Sequence, residues 1–322
     1  MDPPGTAISP YAMVGRQAQT AVLEELLDGL SLGRPSALML AGEAGIGKTR
    51  LADELVNRAR SRGWRTVWVA AWQGDGVPPL WPWAELLRQV VGTADVLDRQ
   101  APDADPASAS SARFEQFEAV TAALRAAIGG APLVVVLDDA HWADPASLQL
   151  AAFASAALRD QPLLLVVTYR PYEIDRAGLE TLTRLGVTLA LPPLTVDAVG
   201  DLLAGVVGQE VPSRVVAAIA ERSNGNPLFV QEFARLLAIS GRTTVAPNGV
   251  PDGIVAVIER RLARLPESAV ELLHVGAVIG QVFTTEAVSA IAAVRPNVVA
   301  SRLEPAVAAG VLARSTTGYV FE

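Results

Sequence analysis

The chain has 322 residues, 51% of them apolar, with no cysteine and a formal net charge of -8. That length suits a large buried core spread over two or three domains, and the absent cysteines exclude disulfide frameworks, thiolate metal sites and cysteine nucleophiles. The acidic balance argues against a chain built mainly to grip a phosphate backbone; with no 18-residue apolar run and no basic-then-apolar N-terminus, a soluble cytoplasmic protein without membrane contact is expected.

Residues 1–12 read as an N-terminal tail. The first strand is the apolar run 37–41 (ALMLA), and the stretch after Lys48 spaces Leu51, Leu55 and Val56 at helical intervals. Between them lies GEAGIGKTR, residues 42 to 50, which fits G-x-x-x-x-G-K-[ST] in the strand–loop–helix setting its mechanism requires. Gly42, Glu43, Ala44, Gly45, Ile46, Gly47, Lys48, Thr49 and Arg50 are therefore the candidate phosphate-binding residues. The glycines let backbone N–H groups curl around phosphate, the helix presents its positive end, and the Thr49 hydroxyl is a magnesium ligand candidate. Lys48 is the only lysine; the other 25 basic residues are arginines. A cradle of this kind has room for a compact ammonium with three donors and less for a rigid guanidinium fork.

The chain continues with strands over 66–72, 133–137, 163–168 and 187–191, alternating with helices near 81–91, 113–128, 145–159 and 177–184. Continuous apolar strands separated by helices predict an α/β fold, a parallel sheet covered by helices on both faces. Five of the six tryptophans (Trp64, Trp68, Trp72, Trp81, Trp83) fall within twenty residues. The even spacing of Trp64, Trp68 and Trp72 puts them on one strand face, as core or as an aromatic partner patch. Residues 101–111 (APDADPASASS) lack periodicity and read as a mobile surface loop.

The third strand runs into VVVLDDAHWAD. Asp138 is the candidate magnesium carboxylate, and Asp139 the candidate for orienting the attacking water, both at the carboxyl edge where nucleotides bind in such sheets. Aspartate is one methylene shorter than the glutamate more usual in that second role, so slow hydrolysis is expected. His141 is either a core residue or a phosphate sensor. Arg170 emerges at the same edge after the fourth strand, and is either a solvated arginine or a reporter on the γ-phosphate, placed with Lys48 and Asp139 among the catalytic candidates.

After residue 194 the strands give way to helices over 196–204, 213–223, 227–239, 252–265 and 268–279. His274 reads as packing on an apolar helix. Helices over 284–292 and 297–312, the second interrupted at Pro305, precede two short strands, VLAR and YVFE, around a turn. The expected divisions are a P-loop nucleotide-binding domain (13–194), a helical lid (195–248) and a partial winged helix (249–322), in a piece cut from a longer protein.

The segments MVGRQAQTAVLEELL (13–27), GEAGIGKTRLADEL, LVVVLDDAHWADPASL, VVTYRP, LPPLT, GNPLFVQE (225–232) and VPDGIVAVIERRLARLP (250–266) occur in one order. As an ordered set they resemble signal-transduction P-loop ATPases of the STAND class, most closely the ATPase part of large ATP-binding LuxR-type transcriptional regulators. By that resemblance Val14 and Arg16 flank adenine, Arg170 is the first sensor, and Pro227 touches the base. ATP or ADP with Mg2+ then holds two lobes together, ADP at rest and ATP when active. The resemblance also implies self-association or effector domains C-terminal to this segment. The family's winged helix usually continues to a phosphate-contacting histidine, and this sequence stops before that place. Two other readings compete: a ring-forming AAA-type ATPase working on nucleic acid or protein, and a winged-helix DNA reader using Arg295, Arg302 and Arg314, for which the short hairpin and Pro305 are unfavourable.

Overall fold

A computed structural model of the protein describes residues 13–34, 36–72, 76–97, 106–174, 176–240, 265–280, 282–309, 311–315 and 318–321, with single positions 255, 259, 262 and 263. Five strands, β1 (Ser36–Ala41), β2 (Arg65–Ala70), β3 (Leu133–Asp138), β4 (Leu163–Tyr169) and β5 (Val187–Ala190), form one sheet in the order β2-β3-β4-β1-β5. Every pairing in it is parallel. Helices α1 (Gln17–Ser31), α2 (Lys48–Ser61), α3 (Trp81–Val90), α4 (Pro106–Ile128), α5 (Pro145–Ala157) and α6 (Arg176–Thr183) alternate with the strands.

Strand periodicity explains the two cores. Leu38, Leu40, Val134, Val136, Leu164 and Val166 face α1 and α2, packing on Leu23, Leu27, Leu51 and Leu55. Their neighbours Met39, Val135, Leu137, Leu165 and Val167 face the other way, onto Trp83, Leu87, Phe117, Leu124 and Leu148. Each such side chain, fully buried, contributes about 1.5–3 kcal/mol. Covered on both faces, β3 and β4 are buried at every residue, which is why they read as unbroken apolar runs.

Two expectations need correction here. Residues 106–111 are the first turns of α4, not loop; proline is tolerated at a first helical position and alanine carries the helix past the serines. Residues 101–105 lie outside the described residues. Strand β2 stops at Ala70, opposite Asp138, because β3 ends there and Asp139 turns left-handed at φ 53°. Only Trp68 is therefore on the strand. Trp64 and Trp68 pack on the α1/α2 core and Trp83 is buried with its indole N–H donating to the Ser147 carbonyl at 3.0 Å, whereas Trp72 is 67% exposed.

Three helices follow: α7 (Val196–Val207), α8 (Ser213–Ser223) and α9 (Pro227–Ser240). Thr195 caps α7, its side chain accepting from the Ala198 N–H. The chain packs as two compact units, one ending at Gln231 and the other beginning at Glu232. In the second, α10 (Glu267–Ile279), α11 (Thr285–Ala292) and α12 (Pro296–Ala308) accompany an antiparallel sheet of β6 (Val282–Phe283), β8 (Gly318–Phe321) and β7 (Leu312–Ser315), in that order. Leu272, Phe283, Val288, Val299, Leu303 and Tyr319 form its core.

These are the elements of a winged helix, with β6 a third strand that its two-residue length hides from pattern reading. Helix α12 runs through Pro305 as one element; Ser301, whose carbonyl loses its helical donor there, is an exposed residue. His274 does not pack. It is exposed because α10 turns Ala269, Leu272, Leu273 and Gly276 inward instead. The helix expected over 252–265 lies largely outside the described residues. Among the described residues no helix is long and apolar enough to cross a membrane.

Candidate functional site

Between β1 and α2 the chain wraps in six residues. Gly47 takes φ 103° as the residue before α2, a conformation L side chains rarely adopt. At Gly45 (φ 79°) space also forbids a side chain: a Cβ there would lie 2.7 Å from the Leu228 Cβ and 2.9 Å from the Asn226 Oδ1. No side chain caps α2 at Gly47, so the first amides of that helix keep their capacity for an anion.

Two distant side chains hold the loop in shape. Arg16, 5% exposed, donates from one guanidinium nitrogen to the Ile46 carbonyl (3.0 Å) and from another to the Pro192 carbonyl (2.7 Å). Asn226, also 5% exposed, donates to the Ala44 carbonyl at 2.9 Å and accepts from the Leu228 N–H at 3.1 Å. Each satisfies a loop carbonyl from a segment far away in sequence. Arg16→Ala or Asn226→Ala is expected to lower unfolding stability by about 1–3 kcal/mol, since each leaves buried polar groups unpaired; urea denaturation of either variant with an unchanged midpoint would remove this role.

The Lys48 ammonium donates to the carbonyls of Gly42 (2.9 Å) and Glu43 (2.8 Å). Burial pushes its pKa down to about 8, helped by the charge of Arg170 and opposed by Asp139, Asp138 and Glu173. Asp138 stands at the tip of β3, and the Thr49 hydroxyl is 3.4 Å from both its carboxylate oxygens. Burial raises the Asp138 pKa to about 6, against the lowering effect of a hydrogen bond from Thr168. Thr168, fully buried on the neighbouring strand β4, donates its hydroxyl to Asp138 and accepts the Asp139 N–H at 2.9 Å. One hydroxyl therefore fixes both aspartates, the first by its carboxylate and the second by its backbone.

Asp139, left-handed at φ 53°, opens a short 3-10 turn, Ala140–Trp142, so its carboxylate leaves the sheet edge instead of continuing the strand. Nδ1 of the fully buried His141 ring is 3.8 Å from Asp139 Oδ1, and its Nε2 is 3.4 Å from Glu173 Oε2. Arg170 donates to Glu173 Oε1 at 2.6 Å and lies over the Trp142 ring, 5.5 Å from its centre.

Gly42, Lys48, Thr49, Asp138, Asp139 and Arg170 thus meet at the carboxyl edge of adjacent strands. Arg16 reaches Ile46, and Pro227 begins α9 beside the loop-holding Asn226. Val14 precedes Gly15, which is pressed against Leu194 and Ala198; Arg50 is half-buried in the first turn of α2. Sequence reasoning left Thr168, Asn226 and Glu173 without roles. Their signals were a lone polar residue inside an apolar strand, the asparagine of the quoted GNP, and a carboxylate one helical turn's spacing from Arg170.

Among the described residues no group of three or more His, Asp or Glu could cage a metal. One carboxylate beside one hydroxyl fits magnesium, which takes its other oxygens from phosphate and water, and the glycine-built loop with uncapped amides and a buried ammonium fits a polyphosphate.

Residues 12–167 match the family model described as AAA ATPase domain. The chain is similar to an uncharacterized protein of Rhizobium meliloti (strain 1021), 27% identical over 313 residues, covering 83% of this chain and 30% of that one. It spans, then, less than a third of the length of that curated relative. It is also similar in structure to the Thermotoga maritima RuvB Holliday junction branch migration motor, with TM-score 0.51 and 18% identity, covering 98% of this chain and 95% of that chain. A further likeness is to the Aeropyrum pernix ORC1 protein in complex with DNA, with TM-score 0.49 and 18% identity, covering 94% and 85% of the two chains. The likeness in fold is to P-loop NTPases, a parallel five-stranded sheet with helices followed by a helical C-terminal part.

Proposed function

We propose that this chain is the nucleotide switch of a larger, cytoplasmic LuxR-type transcriptional regulator: it binds Mg-ATP, hydrolyses it slowly, and couples nucleotide state to assembly. The observation that carries the reading is the meeting of Lys48, the Thr49–Asp138 pair and Asp139 at one sheet edge. Lys48 turns its N–H donors to the phosphates, Thr49 and Asp138 hold the metal, Asp139 orients water, and Arg170 registers the terminal phosphate. Magnesium, when bound, supplies charge neutralisation on the phosphate oxygens. Val14 and Arg16 flank the adenine and Pro227 touches the base, and Arg16 also anchors the loop at Ile46. The winged-helix elements are assigned no DNA contact, and self-association or effector domains lie elsewhere in the full regulator.

The test is calorimetric titration of the purified chain with Mg-ATP and Mg-ADP, followed by turnover measurement. Binding of both is expected, with turnover far below the ~10 s⁻¹ typical of enzymes. Asp139→Asn should keep nucleotide and lose most of the remaining turnover. Rapid turnover stimulated by DNA or by ring formation would favour a motor instead, and a chain that binds no adenine nucleotide would end the reading.

A further inference from the structure

Strands β1 and β4 are neighbours, with Ala41 opposite Tyr169 and the Gly42 N–H directed at the Tyr169 carbonyl (3.4 Å). The phosphate loop and Arg170 therefore leave the sheet side by side, and the Arg170 charge is felt at Lys48. Arg170 is nonetheless engaged elsewhere. Its guanidinium pairs with Glu173 at 2.6 Å, both side chains being under 20% exposed. That pairing leaves Arg170 Nε buried without a hydrogen-bond partner, an unsatisfied donor that a phosphate oxygen would suit. The second carboxylate oxygen of Glu173 is directed at His141, whose other nitrogen faces Asp139. The Trp142 ring packs on His141, 4.7 Å between ring centres, and beneath Arg170. A single carboxylate thus pairs with the arginine and lies 3.4 Å from the imidazole beside Asp139.

We propose that Glu173 is a positioning residue that latches Arg170 in competition with the terminal phosphate, so that ATP has to break an ion pair that ADP leaves intact. The proposal rests on the reading of Arg170 as the γ-phosphate sensor. His141 keeps the other oxygen of Glu173 in place when the arginine swings away, so the latch can re-form after the phosphate is lost. Discrimination between the two nucleotides then reflects a difference between two partners of one guanidinium: a carboxylate in its own strand exit and a more highly charged phosphate.

The experiment is calorimetry with Mg-ATP and Mg-ADP on the parent, Glu173→Gln, Arg170→Ala and the double variant, with thermal unfolding confirming each fold. Glu173→Gln is expected to tighten ATP about tenfold, the scale of one charge-assisted hydrogen bond, with ADP changed less than about twofold. In the Arg170→Ala background the same substitution should change nothing, and Glu173→Asp, which keeps the charge, should stay nearer the parent. Equal tightening of ADP, a gain that persists without Arg170, an unchanged ATP affinity, or weaker ATP binding would each overturn the latch. A parent that binds nucleotide but shows no such pattern loses only the latch; a parent that binds none loses the switch function and the latch together.

Discussion

Replacing Lys48 with methionine is expected to weaken Mg-ATP binding at least about a hundredfold, since two or more charge-assisted hydrogen bonds of ~1.5–3 kcal/mol each are lost. The same variant has a second signature. In the folded chain the Lys48 pKa is lowered from 10.5 to about 8, principally by burial. Between about pH 8 and 10.5 the unfolded chain therefore holds more protons than the folded one, and stability rises with pH across that window. Below pH 8 the burial cost, ~3 kcal/mol at 1.4 kcal/mol per unit, is present in full. Denaturation curves from pH 7.5 to 10.5 should show that rise in the parent and lack it in Lys48→Met. Because no other lysine contributes, a rise that survives in the variant would mean that the ammonium is not buried as described.

Asp138→Asn should reduce Mg-dependent turnover by about a hundredfold or more, the scale of losing a charge-stabilising group in a catalytic site. Its effect on stability runs opposite to that of a salt-bridged carboxylate. Burial raises the Asp138 pKa from 3.8 to about 6, so between those values the folded state binds the extra proton. Stability falls as pH rises through this window, and the cost is complete above about pH 6. The asparagine variant should show a shallower decline from pH 4 to 6, and magnesium with nucleotide should flatten it in the parent. Identical turnover and identical pH profiles in the two proteins would remove Asp138 from the proposed metal site.

Both costs point the same way. A buried ammonium and a buried carboxylate that each disfavour their charged forms do not serve the fold alone; they are held ready for charges that arrive with a ligand. What holds them is local enough to explain much of what the sequence discloses. The phosphate loop is contiguous, and its glycines, lysine and threonine are spaced by the geometry of one turn. Asp138 was legible because an apolar run ended on it, and the sheet because its strands are buried on both faces.

The unread features are those fixed at long range. Thr168 acquires its role only when β4 lies beside β3, putting a hydroxyl between two aspartates 30 and 29 residues away. Asn226 reaches Ala44 across 182 residues of chain, which no window of sequence displays. Trp72 escaped because the end of its strand is set by a partner strand, not by its own apolar spacing. Helix α4 starts earlier than expected because alanine-rich segments carry helix propensity without periodicity.

The single lysine carries a consequence for regulation. Enzymes that acetylate or ubiquitylate lysine would meet on this chain one ε-amine in 322 residues, and it is 5% exposed at the floor of the phosphate loop. An arginine-clad surface offers them no substrate. Any acyl mark found on a side-chain amine within these 322 residues would therefore be a mark on the proposed nucleotide site, removing the charge offered to the phosphates, and a bound nucleotide would shield it from being written.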